Sequence, residues 1–531
     1  MNNLPRFVFL LVFLFSLLFG IFLTYGFSFF WEDVERYFDS ETRQIISYAP
    51  AQTIRNYTME LFSTDSFFCI ANHDRPLRGS VCQMIPVTFF KKNIELYHLY
   101  KSIFFAVSAV IVFWIILKFT NFGFAILGLF YYITSRDVFS SLYQVHNEML
   151  YGQAFFMLFI FLFIRYYISF EKISLSVKAI YFIGMLFSLR NSMLISQDGR
   201  YFFVMLFIFL VLQGRKHFFR HFFLLASIIF LSLPVLGILK FLLFDHSYQF
   251  IFNENTNLFS NFLSSWHNYL FIVDLFSTAN IALLLLMVLI LPISLFSAKI
   301  KSGIARISSE KLGWPWLSFF LLWFIFTFAM GLSNRGLGVP SNELYTPTTF
   351  NRYEFSYCIA PFIIFLCLFC FFIINSFSRR IKILLSAIVF LLLSCGLLNQ
   401  VYALNQYRGA WGDYFNAWAN AGRYIESKYN NSLVLVGDSL HQPFVFLKTN
   451  NRTVLVANPD LEYFCAGPGE CNDIFVLTRT KDSFVNKGKR FELIEEKVFG
   501  GDTNSPYSFV KNILKRGSQE KIYLYHFKKL R

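Results

Sequence analysis

Residues 102–118 read SIFFAVSAVIVFWIILK, and residues 7–30 read FVFLLVFLFSLLFGIFLTYGFSFF. The first stretch contains no charged residue before its last position, and the second contains none. An α-helix needs roughly 17–25 apolar residues to cross a hydrocarbon core that is about 30 Å thick. Both stretches therefore predict membrane-spanning helices, and the rest of the chain can be searched for runs of the same kind.

The composition of the whole chain agrees with this prediction. The 531 residues are 56% hydrophobic, 21% aromatic and 15% charged, and Phe alone accounts for 73 of them. This composition excludes intrinsic disorder, collagen and a coiled coil, which need few aromatic residues or a strict short repeat. It also disfavours a soluble enzyme, because a soluble domain is roughly 45–50% apolar and about 25% charged. The net charge of +15 would favour nucleic-acid binding in a soluble protein. Here much of that charge lies in short loops beside apolar runs, and we expect no nucleic-acid partner.

Apolar runs of sufficient length predict about eleven membrane spans. They lie near residues 7–30, 102–118, 122–134, 151–168, 174–189, 201–213, 222–244, 279–297, 313–332, 357–375 and 383–399. The predicted fold is a polytopic all-α membrane domain over residues 1–399, followed by a hydrophilic domain over residues 400–531. In the second domain a helical pattern precedes several short β-branched runs, which predicts a small α/β fold. The helical pattern covers residues 413–429, and the runs cover 432–438, 453–457, 474–478 and 521–527.

The loop charges predict the orientation of these spans. Lys and Arg concentrate in cytoplasmic loops, and the loops around residues 215–220, 299–311 and 379–382 are basic, whereas the loop 245–278 holds no Lys or Arg. The N-terminus is therefore predicted to be cytoplasmic. The apolar run of the first span is too long for a cleaved signal peptide, so we predict that this span is an uncleaved helix. Residues 31–101 and 400–531 are predicted to lie outside. The short loops favour the cytoplasmic (inner) membrane of a bacterium, with a periplasmic or extracellular C-terminal domain, over an internal eukaryotic membrane.

Four cysteines fall in the predicted outer segments. Cys69 and Cys82 lie in the first outer loop, and Cys465 and Cys471 flank Ala-Gly-Pro-Gly-Glu in the C-terminal domain. Two closely spaced pairs in an oxidising compartment favour two disulfide bonds. A metal site is the weaker interpretation, because it would need further ligands and no His lies near the second pair.

Acidic side chains follow the first predicted span. The sequence there is Trp-Glu-Asp-Val-Glu-Arg-Tyr, in which Glu32 and Asp33 are adjacent. Carboxylates at a membrane rim are costly to desolvate and commonly have a partner or a task. One such task is that of a general base, and the alternative is a solvated helix cap. The second outer loop adds Asp137, His146 and Glu148, which either line one cavity with the first pair or represent ordinary loop polarity.

The segment before the tenth predicted span reads Asn-Arg-Tyr-Glu-Phe-Ser-Tyr-Cys-Ile-Ala-Pro, from residue 351 to residue 361. The guanidinium of Arg352 offers a planar fork that matches phosphate oxygens. The alternative is an arginine that extends along the span to reach the interface. Arg190 is a further outward arginine with the same two interpretations. No Gly-x-x-x-x-Gly-Lys-Ser/Thr phosphate loop is present, so direct coupling to ATP is not expected.

Together these positions resemble the GT-C superfamily of integral-membrane glycosyltransferases, in particular the branch of protein O-mannosyltransferases and the lipid A aminoarabinose transferase. The resemblance rests on three motifs in order along the chain. They are Glu32-Asp33 with Tyr37, the segment His98-Leu-Tyr-Lys101-Ser at the second span, and Arg352-Tyr353 with Pro361. The acidic pair is inverted relative to the usual Asp-Glu order, which leaves open which of the two is the base. The Trp-Trp-Asp signature of oligosaccharyltransferases is absent from the outer tail.

This resemblance implies inverting transfer of a hexosyl or pentosyl group from a polyprenyl-phosphate donor to a hydroxyl of a glycan, lipid or protein. It implies Asp33, or else Glu32, as the base, and donor phosphate binding by Arg352, Lys101 and Arg190. Asp137, His146, Glu148 and Tyr353 are expected to line the acceptor cavity. No cofactor is required, and the involvement of a divalent metal stays open. The competing interpretations are a flippase or polymerase of lipid-linked glycans and a non-catalytic membrane assembly protein.

Overall fold

The structure is a computed structural model. It describes residues 6–25, 46–62, 77, 79–91, 93–143, 148–195, 202–213, 314–334, 356–375, 377–429, 432–436, 452–455, 473–478, 491–500 and 521–529, with isolated positions between 221 and 289. Its helices are α1 (Arg6–Thr24), α2 (Pro50–Phe62), α3 (Ile85–Phe90), α4 (Ile94–Phe119), α5 (Phe122–Ile133), α6 (Arg136–Tyr143), α7 (Met149–Ser169), α8 (Leu175–Ile195), α9 (Phe202–Leu212), α10 (Trp314–Asn334), α11 (Ser356–Asn375) and α12 (Arg379–Lys428), with a π-helix at Gly79–Met84.

Five of the described helices are long and apolar enough to cross a membrane by length and composition. They are α1, α4, α7, α11 and the first part of α12, up to Tyr402. On α1 and α12 many large apolar side chains are exposed, as expected for helices that face lipid; Leu18 is 64% exposed and Leu398 70%. The predicted spans near 222–244 and 279–297 fall largely outside the described residues. Each of the other predicted spans overlaps a helix, and the total of about eleven stays a prediction.

Two helix boundaries differ from the predicted ones. Helix α4 begins at Ile94 rather than at residue 102, and the side chain of Asn93 caps it by accepting a hydrogen bond from the Leu96 N–H at 3.3 Å. The apolar run is interrupted by His98 and Lys101, but both side chains are buried within the protein, so the helix continues through them. Helix α12 runs without interruption to Lys428, because no proline separates the last span from the predicted helix at 413–429.

Glycine allows three membrane helices to pack closely at one point. A Cβ atom built at Gly128 on α5 would collide with Cδ1 of Ile116 on α4 and lie 3.4 Å from both Sγ of Cys367 and Cγ2 of Ile363 on α11. Small residues at helix interfaces allow this kind of approach in membrane proteins. Gly128 therefore sets the distance between α5 and its two neighbours.

Gly128→Val is expected to destabilise the folded protein by about 1–3 kcal/mol, because the added carbons overpack this three-helix contact. The measurement is the thermal unfolding midpoint of purified protein in detergent. Gly184→Val on α8 is the matched control, since a Cβ atom there would meet only a flexible carbon of Leu162, at 3.1 Å. Equal midpoints for the two variants would show that Gly128 does not set the packing.

The chain forms two compact units. The larger contains the membrane helices up to Leu404, and the smaller contains the residues from Asn405 onward. The smaller unit holds a five-stranded sheet of order β2-β1-β3-β5-β4. Its strands are β1 (Leu433–Val436), β2 (Arg452–Leu455), β3 (Asp473–Thr478), β4 (Phe491–Gly500) and β5 (Lys521–Lys529). Strand β1 is parallel to β2 and β3, and β5 is antiparallel to β3 and β4.

This sheet confirms the prediction of β-strands in the C-terminal part of the chain. One of its faces carries a core that includes Leu435, Val476 and Phe527. On β5, His526 is 2% exposed, stacks on Phe475 with ring centroids 4.4 Å apart, and forms a hydrogen-bonded pair with Asp473 at 2.8 Å. Strand β4 was not predicted, because its edge position leaves several of its side chains exposed and its sequence therefore reads as polar.

Candidate functional site

In the larger unit, buried ionisable side chains lie near the ends of three helices. Lys101 lies near the N-terminal end of α4, Glu148 directly precedes α7, and Arg190 lies near the C-terminal end of α8; they are 0%, 5% and 5% exposed. Ionisable side chains that are buried in a membrane protein are costly, and they mark functional sites by default. The residues around these three define the candidate site.

Lys101 lies against aromatic rings. Its Nζ atom is 5.4 Å from the centroid of the Tyr151 ring, at the start of α7. The same ring contacts Tyr100 at 5.5 Å and Phe104 at 4.9 Å between centroids. A cation at this distance from an aromatic face is attracted by the ring quadrupole. The contact with the ring of Tyr151 therefore offsets part of the free energy that the ammonium group loses with its hydration.

Arg190 and Asn191 hold α2 against α8. The Nε–H of Arg190 donates to the carbonyl oxygen of Leu61 at 2.5 Å, and the hydroxyl of Tyr57 donates to Oδ1 of Asn191 at 2.8 Å. Leu61 lies in the last turn of α2, where backbone carbonyls have no partner within the helix. A cation is favourable at this end, because it opposes the negative pole of the helix dipole. Arg190 therefore caps α2 as well as carrying charge into the site.

The π-helix Gly79–Met84 contacts the same aromatic cluster. The hydroxyl of Tyr100 donates to the carbonyl oxygen of Val81 at 3.4 Å, and the hydroxyl of Ser80 donates to Oε2 of Glu60. Val81, Cys82, Tyr151 and Leu61 share one buried apolar cluster, against which Tyr57 and Tyr100 pack. π-Helices are rare, and they frequently occur at functional sites.

Burial changes the titration of Glu60 and Tyr57 on α2. It raises the pKa of the Glu60 carboxyl, and the hydrogen bond from Ser80 offsets this only in part. Burial also raises the pKa of the Tyr57 phenol, against a smaller lowering by its hydrogen bond to Asn191. The site thus combines cationic side chains with a carboxyl whose ionisation is disfavoured.

The structure places some of the predicted site residues and not others. Lys101 and Arg190 both flank the cluster that contains Tyr151 and Leu61. Glu148 is buried immediately before α7, and Asp137 lies in the first turn of α6. Outside the described residues are Glu32, Asp33, His146, Arg352, Tyr353, Cys69, Cys465 and Cys471. Their roles stay predictions, as does the pairing of Cys82, which is itself buried. Among the described residues there is no group of three or more His, Cys, Asp or Glu that could hold a metal ion.

Comparison with known proteins adds a likeness in overall structure. No family model matches the sequence, and no curated protein matches it significantly. The structure of ArnT from Cupriavidus metallidurans bound to undecaprenyl phosphate is similar over 99% of this chain and 98% of that one, with 10% identity and a TM-score of 0.45. The apo state of the same protein gives 97% coverage of both chains, 10% identity and a TM-score of 0.41.

A likeness with a TM-score below 0.5 does not establish an activity, and the proposed function therefore rests on the residues of this chain.

Sequence reasoning missed three residues of this site. Tyr151 reads as an ordinary aromatic residue of a span, and nothing in the sequence distinguishes it from the other 27 tyrosines. Glu60 lies in a polar stretch where such residues are common. A signal was present for Asn191, because it follows Arg190 near the end of an apolar run, and adjacent polar residues at a membrane rim commonly have partners.

Proposed function

We propose that this chain is a membrane glycosyltransferase that transfers a sugar from a polyprenyl-phosphate donor to a hydroxyl acceptor on the outer face of the membrane. The observation that supports this most is Lys101, a fully buried ammonium group near the N-terminal end of a membrane helix. A second buried cation, Arg190, contacts Leu61, which belongs to the same apolar cluster as Tyr151 beside Lys101. Cations buried at a membrane rim suit a ligand that carries negative charge at that depth. A lipid phosphate is such a ligand, since its chain lies in the bilayer and its phosphate at the rim.

In the proposed reaction, the acceptor hydroxyl attacks the anomeric carbon of the donor sugar. Asp33 takes the hydroxyl proton, while the bond between the anomeric carbon and the phosphate oxygen breaks on the opposite face. The configuration at the anomeric carbon inverts, and polyprenyl phosphate leaves with both electrons of that bond. Lys101, Arg352 and Arg190 stabilise the charge that develops on the leaving phosphate.

The test uses purified protein in nanodiscs with undecaprenyl-phosphate sugars that carry a radiolabel on the sugar. Undecaprenyl phosphate, the lipid bound in one of the ArnT structures, is the first choice of carrier. Release of label to a membrane or glycan extract by the wild-type protein supports the proposal. If no donor in a panel of hexosyl and pentosyl lipids loses label, transport of a lipid-linked glycan becomes the better explanation, and flipping of the same lipids is measured next.

The Arg-Tyr motif before α11 supplies a separate prediction. Arg352→Ala is expected to weaken binding of the donor lipid by roughly tenfold, because the variant loses a charge-assisted hydrogen bond to phosphate. The measurement is donor affinity by tryptophan fluorescence or by competition with a labelled lipid. Arg165→Ala on α7 is the control, since that arginine is exposed and lies near the rings of Trp114 and Phe161. If Arg352→Ala binds the donor lipid as tightly as the wild type does, Arg352 only extends to the membrane–water interface and does not bind phosphate.

A further inference from the structure

Glu60 is a half-buried carboxyl group with an incomplete set of partners. It lies in the last turn of α2 and accepts one hydrogen bond, from Ser80. No ion pair joins it to a Lys, Arg or His in the part of the chain that the structure describes. An ionised carboxylate has about four lone-pair positions for hydrogen bonds. The described residues therefore use only a small part of the hydrogen-bonding capacity of Glu60.

The position of Glu60 disfavours a purely structural role. A negative charge near the C-terminal end of a helix faces the negative pole of the helix dipole. Partial burial adds a desolvation cost. An amide or an apolar residue at this position would avoid both costs, so the carboxyl group is retained against the local stability of α2. Local conflicts of this kind are expected at functional sites.

Glu60 is linked to the cationic part of the site through residues that are next to it, and next to Ser80, in the chain. The next residue, Leu61, accepts the hydrogen bond from Arg190, and Ser80 is followed by Val81, whose carbonyl accepts from Tyr100 beside Lys101. Both Leu61 and Val81 belong to the apolar cluster that contains Tyr151. Residues adjacent in the chain to Glu60 and Ser80, and the residues that the two cations contact, therefore belong to one cluster. This arrangement could bind the two chemically different ends of one ligand.

We infer that Glu60, held in place by Ser80, binds a hydroxyl group of the sugar on the donor lipid. This inference rests on the proposed function and deepens it, because it assigns the sugar to Glu60 and the phosphate to Lys101. A carboxyl oxygen accepts a hydrogen bond from a sugar hydroxyl at little cost once the site is already desolvated. Glu60 is thereby a specificity residue, and it distinguishes sugar-bearing lipid from the bare lipid phosphate that remains after transfer.

The experiment compares the affinities of two kinds of probe in nanodiscs. One probe is undecaprenyl phosphate, and the other is a set of undecaprenyl-phosphate esters of mannose, glucose and arabinose. For the best sugar ester, Glu60→Gln is expected to weaken binding about tenfold or more while leaving the affinity for undecaprenyl phosphate unchanged. Ser80→Ala is expected to act in the same direction with a smaller effect. Glu95→Gln, an exposed glutamate in the first turn of α4, is the matched control.

Each outcome bears on the inference. Selective loss of the sugar contribution in Glu60→Gln supports it. Equal weakening of both probes, or loss of folding in Glu60→Gln together with equal weakening in Ser80→Ala, assigns Glu60 a structural role and overturns it. A Glu60→Gln variant with wild-type affinity for the sugar esters also overturns the inference. The inference fails as well if the wild type binds undecaprenyl phosphate and its sugar esters equally tightly, although that result would still support a phosphate site. If the wild type binds neither probe, the proposed function fails and the inference with it.

Discussion

Asp33→Asn is expected to lower the rate of sugar transfer by about 10²- to 10⁴-fold, which is the contribution that a general base commonly makes. Asparagine keeps the size and shape of the side chain but cannot take the proton from the acceptor hydroxyl. The affinity for the donor lipid and the unfolding midpoint are expected to stay near the wild-type values. The measurement is release of radiolabelled sugar from the donor lipid under single-turnover conditions.

Glu32→Gln is the matched variant for this experiment, since the two carboxylates are adjacent and the sequence does not decide between them. Loss of transfer in Asp33→Asn alone would identify Asp33 as the base, and loss in Glu32→Gln alone would move that role to Glu32. Full activity in both variants would remove a carboxylate base from this position and with it the strongest link to the GT-C motifs.

Lys101→Met is expected to weaken binding of undecaprenyl phosphate by roughly 10- to 100-fold, because a hydrogen bond to a charged group contributes about 1.5–3 kcal/mol. Methionine keeps an unbranched chain of similar length that can still pack on the ring of Tyr151. The weaker binding should therefore reflect the lost contact with the phosphate and not a change in packing. The measurement is the dissociation constant in nanodiscs at two salt concentrations.

Lys118→Met is the control for this variant, because Lys118 is an exposed residue in the last turn of the same helix. Lys101→Arg adds a second test. It keeps the charge but enlarges a fully buried side chain, so donor affinity should recover in part, and the unfolding midpoint should drop. Donor affinity that is the same in Lys101→Met and in wild type would leave the ammonium group without a role in binding and would favour a structural role against Tyr151.

The parts of this structure that follow from composition could be predicted, and those that follow from distant contacts could not. The membrane helices follow from runs of apolar residues, because lipid imposes the same requirement on every span. The predicted start of α4 was too late, because a lysine in a sequence indicates the end of a membrane span. Only the structure shows that Lys101 is buried and that the helix begins before it. Strand β4 was missed because Glu492 and Glu496 are exposed on an edge strand.

The candidate site shows the same division. Arg190 could be proposed from its position beside a predicted span, and Lys101 from the resemblance of its segment to a GT-C motif. The role of Glu60 depends on Ser80 and on the cluster around Tyr151, and the sequence gives no register between these segments. A carboxyl group in a polar loop is ordinary until its neighbours are known.

The attachment of α2 to α8 has a consequence for biosynthesis. Its two hydrogen bonds join residues that are 129 and 134 positions apart in the chain. At a translation rate of roughly 5–20 residues per second, α2 leaves the ribosome several seconds or more before Arg190 and Asn191 do. During that interval α2 lacks both hydrogen bonds to α8, and we expect α2 to be more accessible to proteases than in the folded protein. The hydrogen bonds that protect α2 can form only after α8 has been synthesised. We therefore expect limited proteolysis to cleave α2 in nascent chains that are arrested before residue 190, and to leave α2 intact in nascent chains that extend beyond α8.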